Sequence, residues 1–586
     1  MQDNLERAAA SLEKGQSKKA FREAKAAMRQ LPNSPDPWNL AGLALSLAGD
    51  HSEAAKYFFK ATRLAPSFDN AQRNLAQALV LSGQPDKAHV VLTRFLERVP
   101  KDEAAWYLLA QCAFAKGDLS GATTAIETAM SLGPKSMRNR LLSASIKEKS
   151  GDLPGAIAAC EAVLALDPAH VDALLAMSTP LARQLRVKEA REALEKAVRS
   201  DPAHIWARVR LGLHLVEAGE TEGAIQAFRA ALSREPTQAT AIEQLAQLET
   251  GAALDDLTSK AVGAIKGLKK RSEDRASLQF ALAHIARRKD DLKAEDAALR
   301  QANADMRSLT PYDIGADSAR VARIRDRFAS EIILAPTEPA GIKPIFVVGL
   351  PRSGTTLVEA ILGAHSRVQP LGERAAAGML LNGFLDTDAP FDEAAIATFR
   401  KGDADLMPDL PDDAAAYVDK MPENYRLLGF LKSAYPDCAI INLVRDPRDV
   451  ALSMWRGHFA GSALSYTYDL QGMAGRFNLY ADLMTHWRRV LPGQILDVPY
   501  EALVQDVEGM SKSIAAFCDL EWTPEMAAPH KSASQVMTLS AQQVRAPVHD
   551  RSVAGWRKHE AMLGPFIAAL DARAWDGYLA DPSTAA

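Results

Sequence analysis

Ile345-Phe346-Val347-Val348-Gly349-Leu350-Pro351-Arg352-Ser353-Gly354-Thr355-Thr356 joins a short β-prone apolar run to a glycine-punctuated loop and then to a helical stretch, Leu357 to Ala364. Strand, loop and helix in that order aim successive backbone N–H groups, and the positive end of a helix, at an anion. The candidate anion contacts are therefore Arg352, Ser353, Gly354, Thr355 and Thr356. The apolar run itself reads as a buried strand of an α/β domain.

Gly349 and Gly354 have the spacing of the nucleotide P-loop, and Thr356 takes its Ser/Thr position. Thr355, however, stands where that loop carries its Lys. A nucleoside triphosphatase needs this Lys on the β- and γ-phosphates beside Mg²⁺. The donor is thus expected not to be a Mg-bound triphosphate, and Arg352 supplies the charge from inside the loop. Further along, Cys438 to Val444 reads as a second buried strand, ended by Arg445-Asp446-Pro447-Arg448-Asp449 and a helix, Val450 to Trp455. Arg445 at the strand end and Ser453 on the helix can grip one phosphate from two sides. The plainer reading makes Arg445 and Asp446 a surface ion pair.

The run Pro351 to Thr356 resembles the 5′-phosphosulfate loop of sulfotransferases that use PAPS (3′-phosphoadenosine 5′-phosphosulfate). The continuation Leu357 to Glu373 looks most like the tyrosylprotein branch and its repeat-bearing bacterial relatives, and the likeness covers roughly Pro344 to Asp571. It implies PAPS as donor, PAP as product, and Arg445 with Ser453 on the 3′-phosphate. It also implies Glu373 as general base, Lys420 with Arg352 on the leaving group, Ser540 beside the phosphosulfate and Tyr500 as a cofactor contact. Where the tyrosylprotein branch has a Lys before Trp556, this chain has Gly555; Arg545 and Arg557 are candidates for the missing contact. The plainer readings are a capping role for Glu373 and a surface role for Lys420. His365, at the end of the loop helix, is an alternative base whose place favours capping.

Upstream, Ala335 to Pro344 carries Pro336, Pro339, Gly341 and Pro344 and reads as linker, within a wider linker at 311–343. Before it the chain is periodic. Pro32, Pro66, Pro100, Pro134, Pro168, Pro202 and Pro236 lie 34 residues apart, as do Ala20, Ala54, Ala88, Ala122, Ala156, Ala190 and Ala224. A third column is small (Ala8, Gly42, Ala76, Ala110, Ala144, Ser178, Gly212) and a fourth bulky (Phe58, Leu92, Ile126, Cys160, Leu194, Phe228). These columns resemble the tetratricopeptide repeat, a pair of helices per period. Small residues let backbones approach, the bulky residue fills the space beside them, and Pro ends the second helix.

The expected architecture is an α-solenoid followed by an α/β P-loop-like domain with a central parallel sheet. Its parts are seven repeats at 1–236, a degenerate helical cap at 237–310, the linker, and a sulfotransferase domain at 344–586. Such an array offers a surface for a protein partner. The acceptor hydroxyl is left open between protein or peptide (tyrosine above all), glycan and small molecule, as is a homodimer. An interaction scaffold with an inactive transferase domain, or a nucleotide-dependent kinase, are the alternatives.

Composition narrows the class. A net charge of −4 over 586 residues argues against nucleic-acid binding. No stretch approaches the ~20 apolar residues of a membrane helix, and the polar start of the chain shows no secretory signal. A cytoplasmic location is expected. Cys112, Cys160, Cys438 and Cys518 fit neither a zinc site nor a disulfide framework, and no metal is expected.

Overall fold

A computed structural model describes residues 3–329, 332, 334, 341–459, 461–531 and 547–576. Its contacts divide the chain into two compact units, Met1–Ser200 and Asp201–Ala586.

The first unit is a run of helices from Asp3–Glu13 to Val187–Ser200, packed in consecutive pairs. The sequence columns acquire physical roles here. A Cβ placed on Gly42 would lie 2.6 Å from Phe58 Cε1, so the largest bulky residue requires the smallest partner. Where the bulky member is Leu92 or Ile126, the small column holds Ala76 or Ala110, and all four are buried. Asp50, Asp118 and Asp152 cap the following helices by accepting from Glu53, Gly121 and Gly155 N–H.

The second unit opens with the helices Ile205–Ala218 and Thr221–Leu232, where Gly212 and Phe228 repeat the same close contact at 2.6 Å. Four more helices follow, Ala239–Leu248, Ala253–Ile265, Glu273–Arg288 and Leu292–Leu309. The stretch read as linker is not all linker: Ile314–Arg327 is a helix. Its Val321 and Ile324 enter the main core, and its Arg325 pairs with Asp482 at 2.8 Å. Asp313 caps it by accepting from Gly315 and Ala316 N–H. An amphipathic stretch with that cap was legible but lay outside the 34-residue period.

The sheet is five-stranded and wholly parallel, in the order β2-β3-β1-β4-β5. Its strands are β1 Lys343–Gly349, β2 Val368–Pro370, β3 Ala416–Asp419, β4 Ala439–Val444 and β5 Ile495–Pro499. Ile345 and Val347 face one core; Phe346 and Val348 face the other. Both faces are covered, which is why β1 reads as an unbroken apolar run from Ile345 to Val348.

β1 lies between β3 and β4, so the chain runs outward to one side of β1 and then, from β4, to the other. Open α/β sheets bind ligands at such a reversal, beyond the carboxyl ends of the strands. The loops that follow β1 and β4 meet there. The helix after β4 starts earlier than its apolar run suggested, at Pro447 and ending at Trp455. Asp446 caps it by accepting from Arg448 N–H, and Pro fits the first helical position because that N–H has no helical partner.

Candidate active site

The anion loop is shaped by three residues with positive φ. Gly349 (φ +149°) lets β1 close on β4, since a Cβ there would lie 2.8 Å from the Leu443 carbonyl oxygen. Arg352 holds φ +70°, an uncommon conformation for a residue with a Cβ and one that concentrates at functional sites. Gly354 (φ +112°) precedes the loop helix Thr355–Gly363 and packs against the Tyr500 ring. Ser353, Thr355 and Thr356 are all buried at this helix start.

Arg352 Nε donates to Ser453 Oγ at 3.0 Å, joining the first loop to the helix after β4. Arg445 Nη1 donates to the Arg352 carbonyl at 3.3 Å and Nη2 to the Ser552 carbonyl at 2.7 Å. Its guanidinium lies 4.2 Å over the Tyr500 ring, while Tyr500 Oη and Ser552 Oγ are hydrogen-bonded at 3.0 Å. Two arginines from neighbouring loops thus share one site. Burial, then the nearby Arg445 charge, draws the Arg352 guanidinium down to about 10, still cationic at neutral pH. Such crowding of like charge suits an anion held between them.

Beside them, at the ends of β2 and β3, lies an acid–lysine pair. Lys420 is fully buried, and its Nζ donates to Glu373 Oε1 at 2.6 Å. The Glu373 side chain is 44% exposed, so the carboxylate opens to solvent while the ammonium does not. Glu359, on the loop helix, accepts from Gly372 N–H at 2.8 Å and lies 3.9 Å from Lys420 Nζ. Behind this group, Arg374 pairs with Asp403 at 2.7 Å and approaches Asp419 at 3.9 Å.

The structure brings together Arg352, Ser353, Gly354, Thr355, Thr356, Arg445, Ser453 and Tyr500, with Glu373 and Lys420 as their own pair. Ser453 bonds to Arg352 rather than to Arg445. Ser540 and Arg545 lie outside the described residues. Arg557 is exposed, with its guanidinium 5.9 Å from the Trp556 ring, and nothing described places it against Arg445. His365 accepts from Arg367 N–H at 3.1 Å, a local turn closure in keeping with capping. Sequence reasoning missed Glu359, whose signal was a lone carboxylate in the apolar stretch Leu357 to Leu362. It also missed Asp449, which accepts from Ala554 and Trp556 N–H at 2.7 and 2.8 Å and so fixes the segment that carries Ser552.

The donor set fits a phosphate-type anion. Ser353 Oγ and Arg445 Nε are buried without a protein partner, an arrangement that costs free energy unless a ligand accepts from them. Among the described residues no His, Cys, Asp or Glu group has the arrangement of a metal site.

Fold and site define an α/β domain with a glycine-containing loop and two arginines at the reversal point of a parallel sheet and an acid–lysine pair beside them. Residues 344–524 match the sulfotransferase family, and the chain belongs to that family. Tetratricopeptide repeats match at 45–112, 79–146, 141–204 and 181–248. The chain is 30% identical over 232 residues to a putative protein-tyrosine sulfotransferase of Caenorhabditis briggsae, covering 36% of this chain and 80% of that one. It is also 30% identical over 316 residues to an uncharacterized protein of Aquifex aeolicus, covering 51% of this chain and 42% of that one. Among solved structures, MamA from residue 41 to its end, from Desulfovibrio magneticus RS-1, is 24% identical with a TM-score of 0.27, covering 28% of this chain and 92% of that one.

Proposed function

We propose that the domain transfers a sulfuryl group from PAPS to an acceptor hydroxyl, with a protein tyrosine as the preferred acceptor and the repeats recruiting the protein that bears it. The observation that carries this reading is the convergence of Arg352 and Arg445 on one site, where Arg445 Nη1 donates to the Arg352 backbone carbonyl at 3.3 Å. One donor with phosphates at both ends of an adenosine unit answers that geometry. The acceptor preference is supported by the likeness to the protein-tyrosine sulfotransferase relative.

PAPS supplies an activated sulfuryl group whose leaving group is a phosphate. The loop N–H groups, Ser353 and Arg352 hold the 5′ end of the donor; Arg445 holds the 3′-phosphate. Glu373, open to solvent, takes the acceptor proton as the acceptor oxygen attacks sulfur. The S–O bond to phosphate breaks, its electron pair stays on the phosphate, and Lys420 with Arg352 stabilises that charge.

Glu373→Gln tests the assignment. Transfer of ³⁵S from labelled PAPS to a tyrosine peptide is expected to fall about 10²–10⁴-fold, the usual worth of a general base, with PAP affinity kept within threefold. Normal turnover by the variant would refute the role of Glu373. Transfer of phosphate from Mg·ATP, with none of sulfuryl from PAPS, would refute the reaction class.

A further inference from the structure

We infer that Glu359 is a positioning residue of this site: it anchors the Gly372 turn that carries Glu373 and gives the buried Lys420 a second counter-charge. The inference rests on the sulfuryl-transfer reading above and deepens it by naming what controls its acid–lysine pair.

The loop helix Thr355–Gly363 buries Leu357, Val358, Ile361 and Leu362 in the core. Glu359 sits among them at 7% exposure. Burying a carboxylate is costly, and an apolar side chain would pack there without that cost. Two interactions offset it. One oxygen accepts from Gly372 N–H at 2.8 Å, at a residue whose φ of +67° turns the chain between β2 and Glu373. The other lies 3.9 Å from Lys420 Nζ.

Lys420 therefore stands between two carboxylates, Glu373 at 2.6 Å and Glu359 at 3.9 Å. When Glu373 accepts the acceptor proton it becomes neutral, and its hold on Lys420 weakens. A fully buried ammonium left without an anion beside it is costly and poorly held in place. Glu359 keeps an anion beside Lys420 and holds it in position through that step. Glu373 is thereby free to act as a base although it begins the cycle bonded to the lysine. The charged groups that act on Glu359 are Lys420 at the end of β3 and Glu373 after β2, while Asp419 and Glu359 repel each other. Burial pushes the Glu359 carboxyl up to about 7, against the pull of Lys420 and the Gly372 N–H. Its ionised form gains ground as pH rises through that value, and turnover is expected to rise with it.

Glu359→Gln keeps an acceptor for Gly372 N–H and removes the charge; Glu359→Ala removes both. In the full chain, Glu359→Gln is expected to lower kcat at least tenfold with PAP affinity within threefold, and to abolish the rise of kcat through about pH 7. Wild-type kcat with a wild-type pH profile would overturn the inference. A second readout needs no activity: melting temperatures of Glu359→Gln, Glu373→Gln and the double variant. The double variant is expected to lose more than the sum of the singles, because Lys420 then has neither anion; strict additivity would overturn the counter-charge role. Should the wild type bind PAP but transfer no sulfuryl group, the functional reading fails while the melting cycle still decides the role of Glu359.

Discussion

Gly354→Ala is the smallest change that strikes the donor site. A Cβ at Gly354 would lie 2.5 Å from Tyr500 Cδ2 and 2.9 Å from Cε2, far inside ordinary contact. The backbone there, at φ +112°, costs a residue with a Cβ about 1–3 kcal/mol. Relief of the clash requires the Tyr500 ring to withdraw from Ser552 Oγ, a hydrogen bond worth about 1 kcal/mol. It also pulls the ring from beneath Arg445, a contact worth about 0.5–2 kcal/mol. The total, about 2.5–6 kcal/mol, divides between stability and donor binding. We expect PAP affinity, measured by calorimetry, to fall at least tenfold (about 1.4 kcal/mol), with a lower melting temperature. Tyr500→Phe should be milder, since it removes the hydrogen bond and keeps the ring. A Gly354→Ala protein with wild-type affinity and melting temperature would show that this packing does not hold Arg445.

Two other predictions concern the rest of the second unit and the thiols. Burial pulls the His458 imidazole down, but the Glu243 carboxylate, 3.0 Å away, outweighs it and leaves the group above its ordinary value. A raised folded pKa stabilises fully below about 6.5 and loses its contribution as pH rises through the folded value. Chemical denaturation between pH 6 and 9 should show this slope, and Glu243→Gln should flatten it; an identical slope in the variant would contradict the pairing. Burial pushes Cys438, Cys160 and Cys518 up to about 12 and Cys112 up to about 11. All four thiols should resist a disulfide reagent at pH 8 until denaturant is added, and fast native labelling of any would refute their burial.

How far the sequence carried depends on the kind of signal each residue leaves. The repeats were legible because one packing rule recurs every period, down to Gly42 with Phe58 and Gly212 with Phe228. The anion loop was legible because Gly349 and Gly354 must adopt positive φ at fixed spacing. Ile314–Arg327 was hidden because it belongs to no period, although Asp313 announces its start. Glu359 was hidden for a different reason. Its partners, Gly372 and Lys420, are 13 and 61 positions away, and only the parallel pairing of β2 with β3 brings their ends together. The bond from Arg352 to Ser453 is likewise a product of the β1–β4 pairing, which no local pattern encodes.

The most direct test compares PAP with 5′-AMP, which lacks the 3′-phosphate, by calorimetry on the wild type and on Arg445→Ala. If Arg445 grips that phosphate, PAP should bind at least tenfold tighter than 5′-AMP to the wild type, and the difference should collapse in the variant. Equal affinities for the two ligands in the wild type, or an undiminished preference in Arg445→Ala, would contradict a single donor spanning both arginines.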